Sequence, residues 1–300
     1  MELRKWLAPP NPSINHNTAY DSQHDGTANW FIQGPTFDGW KMNGSLLWIR
    51  GNRMFLLPRR TFMNANGLSC FSAGSGKSIL WYVVTHLPGH RNLILLSSSA
   101  IIEEIKHIRK SRYALVAYYY FDFKDAAKRD VRGLLTSLLL QLVDDSDPCW
   151  YLLSQLHGTC RDGLEQPSEA ALAQCLNNML DLPGQIPTYI IIDALDECPN
   201  NTGTPSARER VLNFLEDLVQ SNHSNLFICI TSRPEQDIST ALNPLTPPSR
   251  LVSLHEEGGQ TEDINSFVRS FVTNDRTMRR WRTEDKDLVI CVLSERAQGM

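Results

Sequence analysis

Several things are scarce in this 300-residue sequence, and each scarcity excludes a class of protein. No apolar run reaches the roughly 18 residues of a membrane span, and Met1–Lys5 opens no apolar signal stretch, so neither a membrane partner nor export is expected. The seven cysteines are odd in number and contain no CxxC pair, which argues against a disulfide framework or a zinc knuckle. Positive charge is not in excess: the net charge is −4, so no global field draws the chain to nucleic acid. The eight histidines show no metal-ligand spacing, since Pro88-Gly89 breaks any helix that would present His86 and His90 together. Repeats and low-complexity tracts are also missing. What remains is ordinary globular composition, 42% hydrophobic and 21% charged, enough to build a core without staples. The expectation is a reduced, cytoplasmic protein.

The apolar runs fall into two periods. Ser45–Arg50, 114–123, Tyr189–Ile192 and Leu226–Ile230 read as strands, with Leu251–Leu254 as a fifth. Tyr189–Ile192 has no alternation, as in a strand covered on both faces. Residues 128–143, 168–182, 261–272 and 283–296 have helical spacing, and Ser206–Glu209 has the form of a capping box opening a helix to about residue 220. Trp30, Phe31, Phe37 and Trp40 suggest a short packed helical region, and the polar, proline-rich residues 6–25 read as a linker. Strands alternating with helices predict an α/β fold: a parallel five-stranded sheet with helices on both faces and a C-terminal helical segment. The expected division is 1–44 for the linker and helical lead-in, 45–260 for the core, and 261–300 for the start of a helical region.

Chemistry concentrates at three places. Gly74-Ser75-Gly76-Lys77-Ser78 is the second half of a phosphate-binding loop, in which backbone N–H groups surround phosphate, the lysine reaches the β/γ-phosphates and the serine hydroxyl binds Mg²⁺. Taken alone it is equally a flexible glycine turn. A buried strand ending in Asp193 supplies a carboxylate for the Mg²⁺ shell, and Asp196 or Glu197, just beyond it, is placed to polarise a water. Arg233 ends the next strand, where it could sense a γ-phosphate. The basic cluster Arg276–Arg282 adjoins Glu284-Asp285 and reads as a solvated helix face rather than a nucleic-acid patch.

This order of motifs resembles the NACHT family of STAND P-loop NTPases, and more narrowly the nephrocystin-3-like domain of fungal NOD-like receptors. The stretch from Trp6 to Asn17, the run His24–Phe31 and the aromatic strand at 117–123 carry the same resemblance. It implies ATP or GTP with Mg²⁺ bound by Lys77 and Ser78, an acidic pair that supports slow hydrolysis, a sensor arginine at Arg233, and self-association in a signalling switch. It also implies a phosphate loop at the centre of the sheet. By the same likeness the chain looks cut at both ends.

One departure is local. The loop pattern requires a glycine five positions before Gly76, where Phe71 stands; a bulky side chain there obstructs the tight turn. Removing Arg53–Ser72 brings Gly51 to the required position. That segment can be encoded with a splice donor at Arg53-Met54, a branch point at Ala65-Asn66 and an acceptor at Phe71–Ala73, which reads as a translated, in-frame intron forming a poorly ordered excursion. Residues 81–98 read the same way, the helix after Lys77 resuming at Ser99. Two alternatives stand: a genuine insertion that leaves a non-catalytic α/β scaffold, or a mis-spliced product without function.

Overall fold

Five apolar runs form the strands β1 (Ser45–Arg50), β2 (Leu115–Tyr120), β3 (Thr188–Asp193), β4 (Leu226–Ser232) and β5 (Leu251–Ser253). The computed structural model describes residues 2–21, 28–51, 93–110, 114–200, 203–254, 258–274, 281–287 and 290–291. All pairings are parallel and the order is β2-β3-β4-β1-β5. Both faces are covered, so β3 and β4 are buried at every residue, and their apolar stretches, Tyr189–Ile192 and Leu226–Ile230, show no alternation.

The register aligns the carboxyl ends: Tyr120 lies opposite Asp193, and Arg50 opposite Ser232. From β1 the chain crosses to the β2 edge, steps back through β3 and β4, then passes to the far side of β1 for β5. The crossovers therefore diverge around β1, which sets the carboxyl ends of β1 and β4 at the point where open α/β sheets bind ligands. The strand carrying Gly51 is interior but not central; β4 takes the middle place that the resemblance gave to the phosphate loop.

The helices are α1 (Glu2–Leu7), α2 (Ser13–Asp21), α3 (Asn29–Ile32), α4 (Pro35–Asn43), α5 (Leu93–Lys110), α6 (Val131–Val143), α7 (Asp147–Thr159), α8 (Glu169–Leu180), α9 (Ala207–Gln220), α10 (Gln236–Leu242) and α11 (Gly258–Asn274). One face of the sheet packs leucines of α6, α8 and α9 against Leu46, Trp48, Ile190 and Ile228. The other packs Phe31, Phe37 and Trp40 with Ile101, Ile102 and Ile105 of α5 against Leu47, Ile49, Ile191 and Cys229. Alternate β1 residues thus point to opposite cores, as a pleated strand requires. Gly44 turns α4 into β1 at φ 66°, a left-handed value, with the Leu226 carbonyl 3.2 Å from where a Cβ would sit.

Where the sequence suggested a linker, two helices dock. Trp6 and Leu7 are buried, and Trp6 Nε1 donates to the Glu165 carbonyl at 2.8 Å. The prolines fall between α1 and α2, where they cost no helical hydrogen bond, and Asn11 Oδ1 caps Ser13 at its N–H and hydroxyl. Helices α7 and α10 were not anticipated. Ser146 caps α7 through Cys149 N, with Pro148 in the first turn. Strand β2 is shorter than its aromatic run because Asp122 Oδ1 accepts from Lys124 N, turning the chain. Near the C-terminus, residues 283–287 are helical, and α11 is tied back by Asp263 Oδ2, which accepts from Ala28 N at 2.7 Å and Trp30 Nε1 at 3.0 Å. Among the described residues no helix is long and apolar enough to cross a membrane.

Candidate functional site at the carboxyl ends of the strands

Strand β3 delivers Asp193 to the end of the sheet with no solvent exposure. Its Oδ1 accepts from Thr231 Oγ1 at 2.5 Å, and the same hydroxyl accepts from Ala194 N at 3.1 Å. Its Oδ2 is buried with no hydrogen-bond partner among the described residues. Burial pushes the carboxyl up to about 7; the hydroxyls of Thr231 and Ser98 pull it down, and the neighbouring charges of Asp196 and Glu197 push it further up. A carboxylate so placed either keeps its proton or meets a cation.

The turn after β3 is sharp because Ala194 sits at φ 55°, ψ 44°, a left-handed conformation that costs a non-glycine residue about 1 kcal/mol. A 3₁₀ turn, Leu195–Glu197, follows and splays the acidic pair. Asp196 faces β4: its Oδ1 accepts from Arg233 N at 3.1 Å, and its Oδ2 lies 3.0 Å from Arg233 Nε, an ion pair without hydrogen-bond alignment. Glu197 turns to the β2 side, where its Oε2 accepts from Phe123 N at 3.3 Å. Gly51 ends β1 buried, its N–H donating to the Ser232 carbonyl at 3.2 Å, while Trp48 Nε1 donates to Ser232 Oγ.

The structure therefore brings Gly51, Asp193, Asp196, Glu197 and Arg233 to one end of the sheet. Gly74, Ser75, Gly76, Lys77 and Ser78 lie outside the described residues, as does the segment 53–72. Helix α5 begins at Leu93, not at Ser99, and runs unbroken through the place where the sequence reading resumes the helix. Ser98 and Ser99 are buried in it.

Two residues of the site escaped the sequence reading. Thr231 had no role there, although a hydroxyl beside the last strand residue is what a buried aspartate needs. Arg208 was read only as part of a capping box, which does form: Ser206 Oγ accepts from Glu209 N and Glu209 caps Ser206 N. Arg208 itself is buried, donating from Nε to the Cys198 carbonyl and from Nη2 to the Asp196 carbonyl at 2.6 Å, while Nη1 meets Glu235 and Asp237. The signal was present: Arg208 precedes Val211, Leu212 and Leu215 at helical spacing and so lies on the buried face.

A divalent cation bound with a nucleotide takes one or two carboxylates and leaves other positions to phosphate and water. The orphan Oδ2 of Asp193 fits such a cation, whose presence would offset the cost of burying the charge. Among the described residues no three His, Cys, Asp or Glu side chains converge as a self-sufficient metal cage. Comparison with curated proteins finds no match. The family model described as nephrocystin 3, N-terminal, matches residues 68–233, more than half the chain; the match begins beyond Gly51 and ends at Arg233. By that match, the chain belongs to the nephrocystin 3 N-terminal family.

Proposed function

We propose that this chain is the nucleotide-binding core of a NACHT-type STAND switch, of the kind found in fungal NOD-like receptors, binding ATP or GTP with Mg²⁺ in the cytoplasm and passing the signal on by self-association. The observation that carries the reading is Asp193: a fully buried carboxylate with an unpartnered oxygen, at the carboxyl edge of a parallel sheet and close to its switch point. Gly51, Gly74, Ser75, Gly76 and Lys77 would hold the phosphates; Ser78 and Asp193 would hold Mg²⁺. The metal, when bound, supplies charge neutralisation of the phosphates. Thr231 fixes the Asp193 rotamer, Asp196 or Glu197 orients water, and Arg233, once released from Asp196, reads the γ-phosphate. Slow hydrolysis is the most such a site would perform. The core would run from 45 to 260, with 261–300 opening a helical region.

The register of α5 supports the in-frame intron reading. In a message lacking 81–98, Gly76–Leu80 and a junction residue would fill the six helical places held here by Leu93–Ser98. Ser78 would then take the place of residue 95, three before the buried Ser98. Excision of 53–72 would bring Gly51 into the loop. A second reading, a non-catalytic scaffold, is favoured by the separation of Gly51 from Gly74 in the sequence as it stands.

The test is titration of a fluorescent ATP or GTP analogue, with and without Mg²⁺, into this chain and into one lacking 53–72 and 81–98. Mg²⁺-dependent binding by the shortened chain, lost on Lys77→Ala, is expected. Absence of binding by both chains would overturn the proposal; tight binding by the chain as it stands would refute the scaffold reading.

A further inference from the structure

One guanidinium stands behind both halves of the Asp196–Arg233 pair. Arg208, the second residue of α9, is buried, and all three of its side-chain nitrogens are engaged. On one edge Nε donates to the Cys198 carbonyl at 2.8 Å and Nη2 to the Asp196 carbonyl at 2.6 Å. The fork therefore brackets Glu197 and clamps the main chain of the acidic turn. At the other end Nη1 meets the Glu235 carboxylate and donates to Asp237 Oδ2 at 3.2 Å. Glu235 immediately precedes α10, and Asp237 lies in its first turn. A further layer steadies Asp237: Asn200 Nδ2 donates to its Oδ2 at 2.8 Å, and Asn200 Oδ1 accepts at 3.0 Å from Ser206 Oγ, the cap of α9.

These contacts close a ring. One arm runs from Arg208 through the Asp196 carbonyl to the Asp196 side chain. There Oδ1 accepts from Arg233 N at 3.1 Å, and Oδ2 pairs with Arg233 Nε at 3.0 Å. The other arm runs through Glu235 and back to Arg233 by way of Pro234, whose ring fixes φ. Among the described residues no hydrogen bond joins Arg208 to Arg233, yet Arg208 sets both points between which Arg233 is held. A planar guanidinium suits the task. Its donors have a fixed geometry, so the separation of the carbonyls on one edge from the carboxylates at the other is set by the fork. An ammonium is a point charge and fixes no such separation.

We propose that Arg208 is the positioning residue of the Asp196–Arg233 pair, and that it thereby sets how readily Arg233 leaves Asp196 for a γ-phosphate. The phosphate rests on the nucleotide-site reading; the hold of Arg208 on the pair does not. Without the fork, Asp196 and Glu235 move independently, and the Arg233 guanidinium spreads over several directions instead of one.

The Arg233 amide reads the pair directly, because it is bonded to Asp196 Oδ1. In the full chain without nucleotide, Arg208→Lys keeps the charge and loses the fork. Amide hydrogen exchange at Arg233 is then expected to rise about tenfold, while the paired Ile191 and Cys229 in the middle of the sheet keep their protection. In an Asp196→Ala background the Arg233 amide is already fast, and Arg208→Lys should add less than twofold. Should Arg208→Lys fail to fold, Glu235→Ala takes its place, with a rise of about threefold expected. Glu235 is 40% exposed and its side chain caps no helical N–H, so that variant cuts one arm only. An Arg233 amide that ignores the folded variant, that responds equally in the Asp196→Ala background, or that responds only together with Ile191 and Cys229 overturns the proposal. In whichever chain binds the Mg²⁺-nucleotide analogue, Arg208→Lys should lower the preference for triphosphate over diphosphate at least threefold, and should lower it no further in an Arg233→Ala background. An equal loss in both backgrounds also overturns the proposal. If neither chain binds nucleotide, the site reading falls, and the exchange at Arg233 still decides what Arg208 does.

Discussion

Two arginines flank the acidic turn after β3, and they are built for different work. Arg208 is buried, spends its guanidinium on two backbone carbonyls and meets two carboxylates; it ties the turn to α10. Arg233 is about a quarter exposed and is held by Asp196 alone among the described carboxylates. A motif search finds the second and overlooks the first. The lesson is physical: on the nucleotide-switch reading Arg233 would change partners during a cycle, and such a residue cannot be over-determined, whereas one that holds the frame must be.

The comparison can be broken most severely at Arg208. Arg208→Ala would strand the Glu235 and Asp237 charges and two carbonyls, and a loss of about 3–5 kcal/mol is expected in chemical denaturation. A loss below about 1 kcal/mol would remove its claim to be the strut. Next in size is the carboxyl between the two arginines. Asp193 has its pKa raised from 3.8 to about 7, so the fold binds a proton that the unfolded chain releases. Without Mg²⁺, that contribution to stability is fully present below pH 4 and is lost as pH rises through 7, up to about 4 kcal/mol. Asp193→Asn should flatten the slope of denaturation midpoint against pH in that window. Thr231→Val, which leaves Asp193 Oδ1 and Ala194 N without their hydroxyl, should cost about 1–3 kcal/mol. Arg233→Ala should be the mildest in stability, under about 1 kcal/mol, yet it should erase any preference for nucleoside triphosphate over diphosphate in the binding titration.

Much of this was legible in the sequence, for reasons that particular elements make plain. Strands β1 and β3 announce themselves because a strand covered on both faces needs an unbroken apolar run, and Tyr189–Ile192 is one. Helix α9 is visible from its capping box. The α1–α2 segment was not, because its prolines dominate the local signal while its fastening depends on residues far away: Trp6 on Glu165, His16 on Glu103. Of the site, Asp193, Asp196, Glu197 and Arg233 could be named from strand-end position alone. Thr231 and Arg208 could not, since their meaning lies in what they touch.

The strand order also has a consequence for how the protein is made. Strand β1 pairs only with β4 and β5, so Ser45 finds its partner Phe227 about 180 residues later. At a synthesis rate of roughly 5–20 residues per second, that is a wait on the order of 10–40 seconds with an apolar edge exposed. The strand leading to Gly51 therefore leaves the ribosome well before either of its partners and is enclosed only once β4 and β5 have followed it.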